Sequence, residues 1–282
     1  MRLNSRALPP GSASGFTLVE LVTVILILGV LVVGVSSFVI FGTRIFVESS
    51  SVDRVLSQSR FAMERLIREI RSAVPGSVRL RTEAGYQCLE LLPIAASSSY
   101  LDMPFKPGAK AEVGTGIATT ASVAAGQLLL IYPLTPADVY ADSAASQGKM
   151  FSLKAVQRSG DSWDFTFTQQ IRFDEASPRQ RFYVASGPVS YCIFHGGSND
   201  GDLLRYAGYG INHPSQLAPT DMGAGVLMAQ GIVNDFSQPA QLPIELTPAT
   251  LVNNALVQLR PRFAVNGESF QYQHQVQVIN VP

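Results

Sequence analysis

The feature that most constrains this sequence is a long apolar segment near its start that carries a single charge. Between Arg6 and Arg44 the only charged residue is Glu20, and from Leu21 to Phe41 no residue is more polar than Thr or Ser. A helix of about 20 apolar residues crosses the hydrocarbon core of a bilayer and satisfies its own backbone hydrogen bonds there. The sequence therefore predicts a transmembrane helix with a carboxylate near one end.

That carboxylate needs a partner, because ionised side chains in lipid are costly and are generally paired. If the chain is cleaved after Gly15, Phe16 carries a new α-amino group, and Glu20 lies four residues further on, one helical turn away on the same face. An amine from this chain or from a neighbouring copy would offset the desolvation of Glu20. The alternative interpretation is an ordinary signal anchor with an isolated Glu.

The segment Gly15–Leu21, which reads GFTLVEL, resembles the processing site of type IV pilins and type II secretion pseudopilins. The resemblance implies that a prepilin peptidase cleaves between Gly15 and Phe16 and then N-methylates Phe16. It also implies that Glu20 assists docking of the subunit into a filament.

The preceding leader, residues 1–15, contains two arginines and no acid, and it lacks the apolar core of a standard secretory signal peptide. Its arginines favour the cytoplasmic side, so the chain after the membrane helix (residues 16–41) is expected in the periplasm or outside the cell. Loss of the leader leaves 19 basic and 21 acidic residues, a formal charge of −2. This balance provides no electrostatic case for nucleic-acid binding.

An amphipathic pattern follows in residues 42–74. Apolar residues recur at helical spacing, with charged residues on the other side, and Pro75 and Gly76 end the pattern. The apolar positions are Val52, Val55, Leu56, Ala62, Met63, Leu66, Ile70 and Ala73. The sequence predicts one nearly continuous helix, about 88 Å long at 1.5 Å per residue, whose second half packs on a soluble domain. A helix broken at Gly42 is the alternative.

Residues 75–282, here called the head, show strand-like patterns and no further helical stripe of comparable length. We expect a mainly antiparallel β head, one domain with two sheets, and hence an α+β fold. The strand candidates are Tyr86–Leu92, Gln127–Tyr132, the alternating Trp163–Thr168, Arg181–Ala185, Val189–Phe194, Leu203–Tyr206, Asn254–Phe263 and Phe270–Val278. The stretches 95–125 and 133–148 lack periodicity and are expected to be loops.

The chain has two cysteines, Cys88 and Cys192, and each lies in a strand-like run. An oxidising periplasm favours a disulfide between them. Closing a loop of about 104 residues would stabilise the head by roughly 4–5 kcal/mol in the chain-entropy model. Two buried thiols too far apart to bridge are the alternative.

The remaining candidate sites are weak. His195, His213 and His274 show no metal-ligand spacing. The segment Gly196–Asp202 fails as an EF-hand loop, since Ala207 falls where the bidentate Glu belongs, so we interpret it as a hairpin turn, with a different cation site as the alternative.

No nucleotide-binding, nucleophile-elbow or zinc-protease motif occurs in the sequence, so we expect neither enzymatic activity nor a cofactor. Five aromatic residues of the head could line a sugar-binding face, although their strand spacing favours a core. They are Trp163, Phe165, Phe167, Tyr206 and Tyr209.

Four further segments indicate which group of pilins the chain resembles. Ser57–Arg71 resembles the stalk of the larger J/W-type minor pilins, while Cys88–Ile94, Leu204–Gly210 and His274–Pro282 resemble minor pilins of the mannose-sensitive haemagglutinin (MSHA) pilus system. This implies a low-abundance subunit with a pseudopilin-type head that helps to start or cap a filament. Its partners would be other pilins, the assembly platform and the inner membrane. A tip adhesin that binds a surface glycan and a type II secretion pseudopilin are the alternatives.

We predict that the mature chain begins at Phe16 with a methylated α-amino group, because the Gly15–Phe16 junction separates a basic leader from an apolar helix. Mass spectrometry of the N-terminal peptide of assembled protein measures both the cleavage and the added methyl group. An intact Met1 terminus in assembled filaments would contradict the prediction.

Overall fold

The computed structural model describes residues 15–140, 148–196, 201–250 and 253–278. The chain forms two compact units, Met1–Ser51 and Val52–Pro282.

Two α-helices and two short 3-10 helices, Pro219–Asp221 and Pro239–Gln241, accompany sixteen strands in the described residues. The α-helices are α1 (Leu18–Arg71) and α2 (Pro136–Val139). The strands are β1 (Arg79–Glu83), β2 (Tyr86–Leu91), β3 (Ala96–Asp102), β4 (Ala111–Ile117), β5 (Leu128–Leu130), β6 (Met150–Ser159), β7 (Ser162–Ile171), β8 (Arg181–Ala185), β9 (Val189–Phe194), β10 (Gly201–Ala207), β11 (Val226–Ile232), β12 (Ile244–Thr247), β13 (Ala255–Leu259), β14 (Arg262–Val265), β15 (Glu268–Gln271) and β16 (His274–Val278).

Helix α1 continues through Gly42 without a break, so the two-helix alternative is wrong. It ends at Arg71, shortly before Pro75 and Gly76, and its last turn carries basic residues that suit the negative end of the helix dipole. Gly76 has φ +74 and lies so close to Leu134 that a Cβ would be 2.7 Å from that residue's carbonyl carbon. Backbone geometry and close approach therefore both require glycine here.

The second part of α1, from Val52 onward, is buried on one face. Ala62, Leu66 and Ile70 are fully buried at helical spacing, as the amphipathic pattern predicts. They form one core with a seven-stranded sheet of order β1-β2-β9-β10-β11-β14-β15 and a three-stranded sheet of order β12-β13-β16. Every pairing in these sheets is antiparallel. The predicted α+β class, a long helix followed by an antiparallel β domain, is thus confirmed.

A closed six-stranded barrel of order β3-β4-β7-β6-β5-β8 has its own core and adds to the two expected sheets. In sequence it lies between β2 and β9, which pair directly with each other, so the barrel is an insertion between two neighbouring sheet strands. The rings of Trp163, Phe165 and Phe167 are buried inside it, and Phe165 meets Phe182 edge-on at 5.3 Å. These aromatics are therefore core residues, and the sugar-face alternative is wrong for them.

The structure corrects three strand assignments. Asn254–Phe263 is not one strand: it divides at Arg260 and Pro261 into β13 and β14, which belong to different sheets. The alternating run Phe270–Val278 also divides, into β15 and β16. Residues 95–125, expected to be a loop, contain β3 and β4. In each case tertiary pairing overrides the local pattern.

Cys88 and Cys192 lie directly opposite each other on β2 and β9, with their Cα atoms 4.1 Å apart, and their sulfur atoms are bonded. Both are fully buried in a small cluster with Tyr206 and Met222. The bond joins the two strands between which the barrel is inserted. It is the pairing that the sequence led us to expect.

Replacing both cysteines, as Cys88→Ala with Cys192→Ala, is expected to lower the free energy of unfolding of the head by about 4–5 kcal/mol, since the bond closes a loop of 104 residues. Urea unfolding of the detergent-solubilised chain, followed by near-UV circular dichroism, measures the loss. Non-reducing peptide mapping is the companion measurement, and two alkylatable thiols in the native protein would contradict the assignment.

Candidate functional site

Glu20 lies in the first turn of α1, and Phe16, the expected new amino terminus, lies two residues before the helix begins. The Thr17 hydroxyl oxygen accepts a hydrogen bond from the Glu20 backbone N–H at 3.3 Å, which makes Thr17 the N-cap and Glu20 the third helical residue. An acidic side chain in the first turn also suits the positive end of the helix dipole. Thr17 therefore marks where the helix begins, and Glu20 lies three residues later in its first turn.

Glu20 lies on an exposed helical surface that is otherwise apolar. Phe16 is 83% exposed, and the apolar residues from Leu18 to Phe41 expose between 45% and 79% of their surface. The hydroxyls of Thr23 and Thr43 donate to carbonyl oxygens one turn back, at 3.0 and 2.9 Å, so they need no outside acceptor. The Glu20 carboxylate forms no hydrogen bond or ion pair with any residue that the structure describes.

Only one helix in the described part of the chain, α1, is long and apolar enough to cross a membrane. A helix with this surface can pack in lipid or against other apolar helices. The Glu20 carboxylate can then pair with a cation supplied from outside the described residues.

Two sequence predictions fall partly outside what the structure describes. The leader residues 1–14 lie outside it, so cleavage between Gly15 and Phe16 stays a prediction. In Gly196–Asp202, residues 197–200 also lie outside, but β9 and β10 on either side pair antiparallel with Leu203 opposite Ile193, as a hairpin requires. Within the described residues, no group of three His, Cys, Asp or Glu side chains could hold a metal ion.

A second polar site, which the sequence analysis missed, lies in the head around Glu90 on β2. Its carboxylate is fully buried and receives an N–H from Arg79 at 2.5 Å and the Tyr209 hydroxyl at 3.0 Å. The His213 ring nitrogen Nε2 lies 3.2 Å away. Burial, reinforced by the Glu90 charge, raises the pKa of Tyr209, so the phenol stays protonated and donates to Glu90. The three partners offset the desolvation of the buried carboxylate.

This network fastens one segment of the chain across the sheet. The Arg79 guanidinium donates to the backbone carbonyls of Pro214 and His213 at 2.7 and 3.2 Å, and Arg81 donates to the carbonyl of Gln216 at 2.7 Å. The Gln216 side chain donates in turn to the Cys88 carbonyl at 2.9 Å. Residues 209–216 therefore cover the face of β2 that points away from α1.

Two carboxylates, Glu69 and Glu90, join the segments that resemble minor pilins. Glu69 of α1 pairs with Arg205 of β10 at 3.2 Å and with Arg65 at 3.1 Å, and Glu90 binds Tyr209. The stalk, the segment Cys88–Ile94 and the segment Leu204–Gly210 thus meet around two carboxylates. This arrangement fixes the helix and a surface segment to one sheet.

The signal that could have revealed Glu90 is its isolation in an apolar run. It is the only charged residue of Cys88–Ile94, and alternation places it on the same face as Cys88 and opposite to Leu89 and Leu91. A carboxylate at a core position of a strand predicts a buried cation partner. Sequence alone could not select Arg79 from the other arginines.

Comparisons with protein-family models, with curated proteins and with solved structures find no match to this chain. Inferences about its function therefore rest on its residues and their arrangement.

Glu90→Gln is expected to destabilise the head by about 3–5 kcal/mol, because it leaves the Arg79 guanidinium beside a neutral amide in a buried setting. Urea unfolding of the full chain in detergent measures the change. The matched control is Glu83→Gln, which removes the exposed pair with Arg81 and should cost less than about 1 kcal/mol. Equal effects of the two substitutions would show that the buried network adds nothing.

Proposed function

We propose that this chain is a minor pilin of a type IV pilus, of the MSHA kind and the MshO type, that is processed by a prepilin peptidase and takes part in starting or capping the filament. The observation that carries the proposal is Glu20. It is an acid in the first turn of an exposed apolar helix, has no partner within the described residues, and lies four residues after the expected new amino terminus.

Charge pairing explains how such a residue would drive assembly. An ionised side chain at the centre of a membrane helix costs on the order of 2.5–3.5 kcal/mol on insertion scales, and less near its edge. In a filament the apolar helices pack side by side, and the amino terminus of a neighbouring subunit can lie beside Glu20. Pairing would then offset the cost only in the assembled state, which favours docking over free diffusion in the membrane.

The proposal assigns partners and locations to each part of the chain. Before assembly, α1 would anchor the protein in the inner membrane with the head in the periplasm, in contact with the assembly platform. After assembly the subunit would lie in the filament or at its tip, packed against major and minor pilins. The exposed apolar surface of α1 supports both environments, because lipid tails and apolar helices offer it similar contacts.

A second candidate function is display of a binding module at the tip of the same kind of filament. It is favoured by the barrel, which has its own closed sheet and its own core and is inserted in the sequence between β2 and β9 without interrupting their pairing in the seven-stranded sheet. A type II secretion pseudopilin remains an alternative for the helix. Neighbouring genes for pilin-like chains and an assembly ATPase would distinguish the systems.

Glu20→Gln tests the assembly proposal, since it preserves shape and removes only the charge. The variant should insert, be cleaved and keep a protease-resistant head, because the head core uses residues from Val55 onward. Filament incorporation should fall about tenfold, the factor that 1.4 kcal/mol of lost docking energy produces. Crosslinking to partner pilins and filament yield measure it.

The matched control is Asp53→Asn, an exposed acid of the same helix beyond the apolar run, which should assemble normally. Wild-type assembly of the Glu20→Gln variant, or unfolding of its head, would rule out charge docking for this subunit.

A further inference from the structure

A polar pocket of about 260 Å³ opens on the barrel, at the end of β7 beside the loop that joins β3 to β4. Neither the helix nor the proposed assembly role uses it. Its polar lining consists of Lys106, Lys110, Gln169, Gln170, Arg172 and Asp174.

The pocket carries more positive charge than its own residues neutralise. Lys106 forms an ion pair with Asp174, the only acid that lines the pocket among the residues that the structure describes. Lys110 and Arg172 have no carboxylate within 4 Å among the residues that the structure describes. Three cations therefore face one anion, and the excess of two positive charges would attract an acidic ligand.

The guanidinium of Arg172 is only partly hydrogen-bonded within the described residues. One terminal nitrogen, Nη1, donates to the Gly108 carbonyl at 3.0 Å, which holds the guanidinium in place. Its Nε–H is buried and has no acceptor in the described part of the chain. A buried donor without an acceptor costs about 1–3 kcal/mol, more for a charged group. Because Nε is sealed from solvent, an anion in the pocket would pair with the guanidinium charge through the terminal nitrogens instead.

The pocket walls are held in position before any ligand binds. The backbone of the β3–β4 loop is hydrogen-bonded to the chain after β7: Lys106 N–H donates to the Phe173 carbonyl at 3.0 Å and Phe173 N–H to the Pro104 carbonyl at 2.8 Å. Beside it, β7 bulges, since four of its residues, 167–170, stand opposite Glu112 alone between the Val113 and Ala111 pairings. The bulge presents the amides of Gln169 and Gln170 at the pocket, a use of bulges that is common beside binding sites.

We propose that this pocket binds an acidic saccharide, with Lys106, Lys110 and Arg172 taking a carboxylate or sulfate group and the two glutamine amides taking hydroxyls. Cations alone would suit any anion, but two adjacent amides that have no side-chain hydrogen bond to any described residue suit a polyhydroxylated ligand. The volume is slightly below the 300–1,000 Å³ of pockets for drug-sized ligands, so one charged sugar unit fills it. The inference does not depend on filament assembly.

Isothermal titration calorimetry on the full chain in an uncharged detergent tests the site. The probes are a sulfated glucuronate-containing disaccharide, its unsulfated neutral counterpart with the carboxylate reduced, and inorganic sulfate. The charged disaccharide should bind, the neutral one should bind at least about tenfold more weakly, and affinity should fall with added salt because the attraction is screened.

Lys110→Gln should lower the affinity for the charged disaccharide about tenfold, because it removes one cation without touching the hydrogen bonds that hold the loop. The matched control is Lys154→Gln, an exposed lysine on β6 outside the pocket, which should bind as the wild type does. Lys106→Gln provides a second variant should Lys110→Gln change the fold.

Three results would overturn the proposal. They are equal binding of the neutral disaccharide, equal losses in Lys110→Gln and Lys154→Gln, and inorganic sulfate binding as tightly as the charged disaccharide, which would leave the sugar without a role. Tighter binding of an acidic peptide such as oligo-glutamate would likewise replace the saccharide assignment with a protein ligand.

Discussion

Burial of one face of α1 organises the head. Leu66 and Ile70 lose all contact with water, and full burial of a side chain of this size is worth about 1.5–3 kcal/mol. The strands that cover them come from widely separated parts of the chain: β2 and β9 from the middle, β13 and β16 from the end. No short stretch of the sequence can form this core alone, so the helix is the common surface on which the two sheets meet.

The barrel is a sequence insertion between two of the strands that cover that core, β2 and β9. β2 and β9 are neighbours in the sheet although about 100 residues separate them, and the Cys88–Cys192 bond joins them. The barrel closes its own strand edges, which removes the unpaired backbone groups that would otherwise invite association. Because it is completed by its own core, its outer surface is free to carry a function separate from that of the helix.

Two carboxylates in this chain show how environment decides the role of a residue. Glu90 is fully buried and has Arg79, Tyr209 and His213 as partners, so its charge is compensated inside the fold and serves to fix the segment at residues 209–216. Glu20 is exposed on an apolar helix and has no partner in the described residues. Compensation for Glu20 has to come from outside, and this contrast is why Glu20 rather than Glu90 supports an intermolecular role.

Much of the fold could be predicted wherever the signal is local. Strands β8 and β9 have the predicted bounds, because each is a short and mostly apolar run that turn residues limit. β4 was missed because two of its inward positions are Gly114 and Gly116, which leave no apolar alternation. The reason is steric: a Cβ on Gly116 would lie 2.7 Å from the Phe182 ring. Partners distant in sequence, such as Glu90 with Tyr209 and Lys106 with Asp174, have no sequence signature of their own.

The sequence by itself determined the helix, its membrane-compatible first part, its cap at Thr17 and the position of Glu20, because helical periodicity, length and capping depend on residues within a few positions of one another. It also determined that residues beyond the helix favour strands. Only the tertiary structure decided which strands pair and that Asn254–Phe263 divides between two sheets. It also decided that the residues between β2 and β9 form a barrel, and that basic side chains gather at the pocket on this barrel. Strand pairing and pocket formation depend on contacts between residues far apart in the chain, and those contacts form only when the whole core is buried.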